Sequence, residues 1–169
     1  ARCHADEAVM GRYFVPTNQH DEYRRSVHSA ALYERGDLSA PTCNDCHGSH
    51  GAVPPGGENV ATVCGSCHSR EATLFRETEA KRGLDLTACI QCMVCHGNHA
   101  VRPPTDAMLG VGPESTCTGC HAEGEDEYAA AQRMGESVDR LTARLGEAAG
   151  LLDRAEQSGM EVGPDRFAL

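Results

Sequence analysis

Four strings in this chain place a histidine directly after a cysteine pair of fixed spacing: Cys43-Asn-Asp-Cys46-His47, Cys64-Gly-Ser-Cys67-His68, Cys92-Met-Val-Cys95-His96 and Cys117-Thr-Gly-Cys120-His121. Cysteines with two residues between them suit three chemistries. Ten cysteines, an even number, permit a disulfide framework. Cys43/Cys46 with Cys64/Cys67 fits the separation of a zinc ribbon. C-x-x-C-H is also the attachment signature of c-type haem. The residue after each pair separates these readings. Neither a disulfide nor a zinc ribbon requires histidine there, whereas haem attachment does: the two thiols form thioethers to the vinyl groups on one porphyrin edge, and the adjacent imidazole reaches the iron. The opening Cys3-His4 reads as the end of a fifth such string, its first cysteine lying ahead of residue 1. Five haem c groups are therefore expected, four of them with complete motifs.

On this reading the thioether residues are Cys3, Cys43, Cys46, Cys64, Cys67, Cys92, Cys95, Cys117 and Cys120. The proximal iron ligands are His4, His47, His68, His96 and His121. The other histidines, His20, His28, His50 and His99, are the distal candidates that would complete bis-histidine iron. His50 and His99 both sit in the string C-H-G-x-H, three residues after a proximal histidine. Two axial ligands must approach one iron from opposite faces, and a three-residue link across a glycine turn is too short to pass round a porphyrin edge. Each should therefore serve a haem attached by another motif, which ties neighbouring haems together. Four distal histidines for five irons leave one position to a partner, to chain outside this sequence, or to a methionine such as Met10, Met108 or Met134, which would raise that iron's potential. An open iron there is the only hint of catalysis, and no catalytic residue is assigned. Cys89 reads as a buried free thiol.

The elements that must position these residues are short. Leu, Ile, Val and Phe make up 26 of 169 residues, tryptophan is absent and the formal charge is −10, a composition that ordinarily buries too little apolar surface to fold. Stacked haems, large and flat and apolar, would supply the missing core. Tyr23, Val27, Ala31 and Leu32 share one side of a helix expected over 21–35, with Gly36 as its C′ residue. A second helix is expected over 70–82, stopped by Gly83. No period-2 run is long enough for a strand. Residues 125–157 carry a heptad seam, Met134, Val138, Leu141, Leu145, Ala148, Leu152 and Ala155, read as one arm of a helical hairpin in preference to a subunit coiled coil. Gly163-Pro164-Asp165 opens the return arm. The expected fold is thus coil and α-helices wrapped around a covalent haem stack, with little or no β structure and a long amphipathic C-terminal helix. It divides into a multihaem domain over 1–122, built of repeated C-x-x-C-H-G-x-H units, and a helical segment over 123–169.

The doubled motifs, with Ser26-Val27-His28 and Ala40-Pro41-Thr42 before Cys43, resemble those of bacterial multihaem c-type cytochromes of the periplasmic and extracellular electron-transfer kind. The resemblance covers residues 1–121. It implies electron transfer along closely spaced, mostly bis-histidine haems, other redox proteins or cytochromes as partners, and a place in the periplasm or at the cell surface in anaerobic respiration. A role as a subunit of a larger complex or filament is compatible with it. The alternative is a haem oxidoreductase acting on a small nitrogen or sulfur oxo-species at one open iron. No run of about 20 apolar residues is present to span a membrane, and the acidic charge argues against nucleic acid.

Overall fold

The computed structural model describes residues 3–48, 63–85 and 91–166. Among these residues no strand forms; helices and connecting coil make up the whole architecture, as the absence of alternating sequence requires. The chain divides into two compact units, residues 1–104 and 105–169, so the string Cys117–His121 belongs with the long helix rather than with the first three motifs.

The first unit is a succession of short helices: α1 (Glu7–Met10), α2 (Gln19–Arg24), α3 (Val27–Glu34), α4 (Cys43–His47), α5 (residues 63–67), α6 (Ser69–Arg76), α7 (Glu79–Asp85) and α8 (Gln91–His96). The single helix expected over 21–35 is broken at Ser26. There the side-chain oxygen accepts from the Ser29 N–H at 3.0 Å, and the Val27 N–H goes to the Val101 carbonyl at 3.0 Å. A serine cap starts a new helix wherever it sits, even in the middle of an apolar stripe. Gly36 does adopt the left-handed conformation (φ +69) that closes α3, and the Asp37 N–H reaches back to the Ala31 carbonyl at 3.0 Å. The helix expected over 70–82 also divides. Thr78 restarts it by accepting from the Lys81 N–H at 3.2 Å, and Gly83 lies inside α7 rather than ending it.

Very little apolar side chain is buried. In the described part of the first unit Ala31 alone among apolar residues is buried, beside the polar Ser26 and Ser29. Connections between segments are polar instead: the Tyr23 hydroxyl donates to the Pro41 carbonyl at 2.9 Å, tying α2 to the chain that enters α4.

The second unit is organised by α9 (Asp126–Gln157), which at 1.5 Å per residue is about 48 Å long. Its N-terminal part packs on the 3₁₀ turns Asp106–Met108 and Cys117–Gly119. Gly110 and Gly135 make that contact possible: a Cβ on Gly135 would stand 2.8 Å from the Gly110 Cα, and Gly110 itself has φ +87. Ala131 and Met108 are buried there, and the Thr116 N–H and hydroxyl both donate to the Met108 carbonyl at 3.0 Å. After Gly159 (φ +85) the chain turns back into α10 (Gly163–Arg166), whose Arg166 pairs with Asp153 at 2.6 Å and Glu156 at 2.9 Å of α9. The chain thus folds back on α9 over one helical turn, Gly163–Arg166. Along the seam Met134, Leu141 and Leu145 remain exposed. No described helix is long and apolar enough to cross a membrane.

Candidate metal and cofactor site

Each complete motif is built on a helical turn, and this gives the spacing its geometric meaning. Residues at i, i+3 and i+4 of an α-helical turn lie on one side of it, which places the two cysteines and the histidine of C-x-x-C-H along the same side of their turn in α4 and α8. Cys43–His47 is α4, started by the Asp45 carboxylate accepting from the Thr42 N–H at 2.7 Å and its hydroxyl at 2.8 Å, which holds Asp45 below the usual carboxylate range. In the second motif the His68 N–H closes on the Cys64 carbonyl at 2.9 Å, and in the fourth the His121 N–H closes on the Cys117 carbonyl at 3.0 Å. The third lies at the end of α8. Gly48 (φ +76) and Gly97 (φ +79) follow the first and third histidines and turn the chain sharply away.

The first three motifs gather in the first unit. The Cys64 and Cys92 thiols are hydrogen-bonded to each other, which pushes Cys64 up and Cys92 down. Burial raises Cys46, with Asp45 beside it and the Cys43 and Cys67 thiols near. Among the described residues no two cysteines are joined in a disulfide. Yet Cys43, Cys46, Cys64 and Cys67 do not converge as zinc ligands. Among the described residues only His121, Glu125 and Glu127 bring three ligand atoms within 4.8 Å of one another.

The histidines pair instead. The His47 and His99 rings have centroids 6.0 Å apart with planes 23° apart, and His28 and His68 lie 6.3 Å apart with planes at 31°. Each pair joins a motif histidine to a non-motif histidine from another part of the chain. A metal–imidazole nitrogen distance of about 2 Å, extended on each side by about 1.1 Å to the ring centre, places two imidazoles on opposite faces of one metal with centroids about 6 Å apart. The separations of the two pairs are those that two imidazoles ligating one metal would need. His28 is pushed down, first by burial and then by the facing His68; both favour the neutral ring that a metal requires. No protein-family model, curated protein or solved structure matches the chain.

The ring of His99 faces His47, a residue of a different motif, and not the His96 of its own string. His50 and Cys89 lie outside the described residues. Among the described residues no second histidine ring faces His4, His20, His96 or His121. The Nδ1 atoms show a further regularity that cysteine and histidine spacing could not reveal. His96 Nδ1 lies 3.3 Å from the Arg102 carbonyl, His99 Nδ1 3.5 Å from Glu22 Oε2, His121 Nδ1 3.8 Å from Glu125 Oε2 and His20 Nδ1 3.5 Å from Asp21 Oδ1. An oxygen beside Nδ1 favours the proton on that nitrogen, which would leave Nε2 for a metal. Cys3 is exposed, and its carbonyl accepts from the Asp6 N–H at 3.3 Å.

Proposed function

We propose that this chain is an electron-transfer protein that holds c-type haems through its cysteine pairs and binds their irons between histidines drawn from separate segments. The observation that carries this reading is the spacing of His47/His99 and His28/His68, at 6.0 and 6.3 Å, in a chain whose described residues gather few apolar side chains into a core. When bound, each haem supplies one-electron chemistry as its iron cycles between ferric and ferrous. The chain's own part is attachment, orientation and spacing. Cys43 and Cys46 would anchor one group, Cys64 and Cys67 a second, and Cys92 and Cys95 a third, with Cys117 and Cys120 anchoring another in the second unit.

His99 and His96 are three residues apart but would serve two different groups, which obliges those two to be neighbours. His28 on α3 would draw the group anchored at Cys64 and Cys67 against the first helices. Two imidazoles on one iron would keep its coordination the same in both oxidation states, which would favour electron passage over substrate binding. The acidic surface suits basic redox partners. Attachment of this kind of group takes place outside the cytoplasm, so the proposed location is the periplasm or the cell surface.

The test is electron paramagnetic resonance on the oxidised protein. Low-spin ferric signals of bis-histidine type that vanish on chemical reduction support the reading; a protein without low-spin ferric signals overturns it.

A further inference from the structure

We propose that Glu22 is a positioning residue for His99 and lowers the reduction potential of the iron shared by His47 and His99. The inference rests on the haem reading and specifies one site within it. Glu22 lies on α2, far in sequence from any motif, yet its Oε2 stands 3.5 Å from His99 Nδ1. Its other carboxylate oxygen is held by the Asn18 side-chain amide at 2.7 Å, and the Glu22 N–H is fixed to the Asn18 carbonyl at 2.9 Å. The carboxylate is therefore anchored at one oxygen and directed at the imidazole with the other. The His99 side chain is 31 % exposed and that of Glu22 26 % exposed, so solvent screens the pair only in part. On the far side of the ring's loop, the His99 N–H is held by the Asn98 side chain at 2.7 Å.

A carboxylate at Nδ1 does two things to a ligating imidazole. It fixes the ring's rotation and tautomer, presenting Nε2 to the metal, and it draws the Nδ1 proton toward itself, making Nε2 a stronger donor. Stronger donation and a nearby negative charge both favour the ferric state. His96, the proximal ligand expected on the neighbouring iron, has the neutral Arg102 carbonyl at the same atom, 3.3 Å away, and the Arg102 guanidinium donates to the Cys95 carbonyl at 2.9 Å. The two adjacent ligands are thus differently tuned, one by an anion and one by a neutral dipole.

The test is a potentiometric titration of the haem-loaded protein and its variants, followed optically and by electron paramagnetic resonance. Glu22→Gln keeps the size and an acceptor oxygen but removes the charge. One midpoint should rise so that the reduced-to-oxidised ratio at fixed potential changes about tenfold, which is 59 mV for a one-electron couple, with a change in the g-values of one low-spin species. Asn18→Ala, which frees the carboxylate, should move the same midpoint in the same direction by less. Glu34→Gln, which removes one exposed negative charge elsewhere in the first unit, should move none. Unchanged midpoints in Glu22→Gln, or a shift matched by Glu34→Gln, overturn the proposal. If Glu22→Gln does not take up haem, an unshifted Asn18→Ala overturns it. An unaltered protein without c-type absorbance overturns the haem reading itself, a different failure from unchanged midpoints.

Discussion

Replacing His99 by alanine is the perturbation that separates cross-ligation from ligation within a motif. The ring stands 6.0 Å from His47, so its loss should strip the sixth ligand from the iron anchored at Cys43 and Cys46 and leave the iron anchored at Cys92 and Cys95 intact. With five irons expected, about one fifth of the low-spin ferric intensity should convert to high spin. The affected midpoint should rise on the order of 0.1 V, a modest part of the roughly 0.8 V that axial ligands command. Which iron is affected can be read by a double-mutant cycle, because changes within one site are not additive. In a Cys43→Ala/Cys46→Ala background, which lacks the first attachment site, His99→Ala should cause no further conversion to high spin. In a Cys92→Ala/Cys95→Ala background it should cause the full conversion. The opposite pattern, with the effect abolished only by loss of Cys92 and Cys95, would refute the cross-ligation argument.

Other consequences are simpler to measure. Gly135→Ala should destabilise the second unit by about 1–3 kcal/mol, because its Cβ would stand 2.8 Å from the Gly110 Cα and backbone must move to admit it; denaturant melts followed by the helical signal check this. Ser26→Ala removes the cap of α3, where the side chain is bonded at 3.0 Å, and should cost about 1 kcal/mol in the same measurement on the first unit. Cyanide or nitrite added to the ferric protein should leave its spectrum unchanged if every iron carries two protein ligands, whereas a new bound species would favour the oxidoreductase alternative.

The motif residues could be named from the sequence because the chemistry proposed for them is local. Two thiols and an imidazole at fixed offsets need only one turn of helix, and α4 and α8 supply it. The long helix α9 was legible for the same reason, since its pattern repeats for 32 residues. Gly36 could be placed at the end of α3 because a left-handed residue there favours glycine. The breaks at Ser26 and Thr78 were missed because apolar periodicity continues across them, while a single side-chain oxygen decides where the new helix begins. A serine or threonine three residues ahead of the N–H it caps was the available signal.

That His99, if it binds iron, would serve one other than that beside His96 could be argued from a three-residue link. Its partner could not. The meeting of His47 with His99, like that of His28 with His68, depends on how α3, α4 and the chain after α8 pack together, and no offset in the sequence encodes it. Glu22 was invisible for the same reason. A glutamate in the first turn of a short helix is ordinary, and only its approach to His99 gives it a role.

The most direct test of the central claim is the intact mass of the protein, produced in a host that attaches c-type haem and measured after acid extraction and denaturation. The expected mass exceeds that of the polypeptide by at least four haem groups, one for each complete motif, that extraction does not remove. A bare polypeptide mass, or a protein that instead carries zinc on its cysteine pairs, would contradict it.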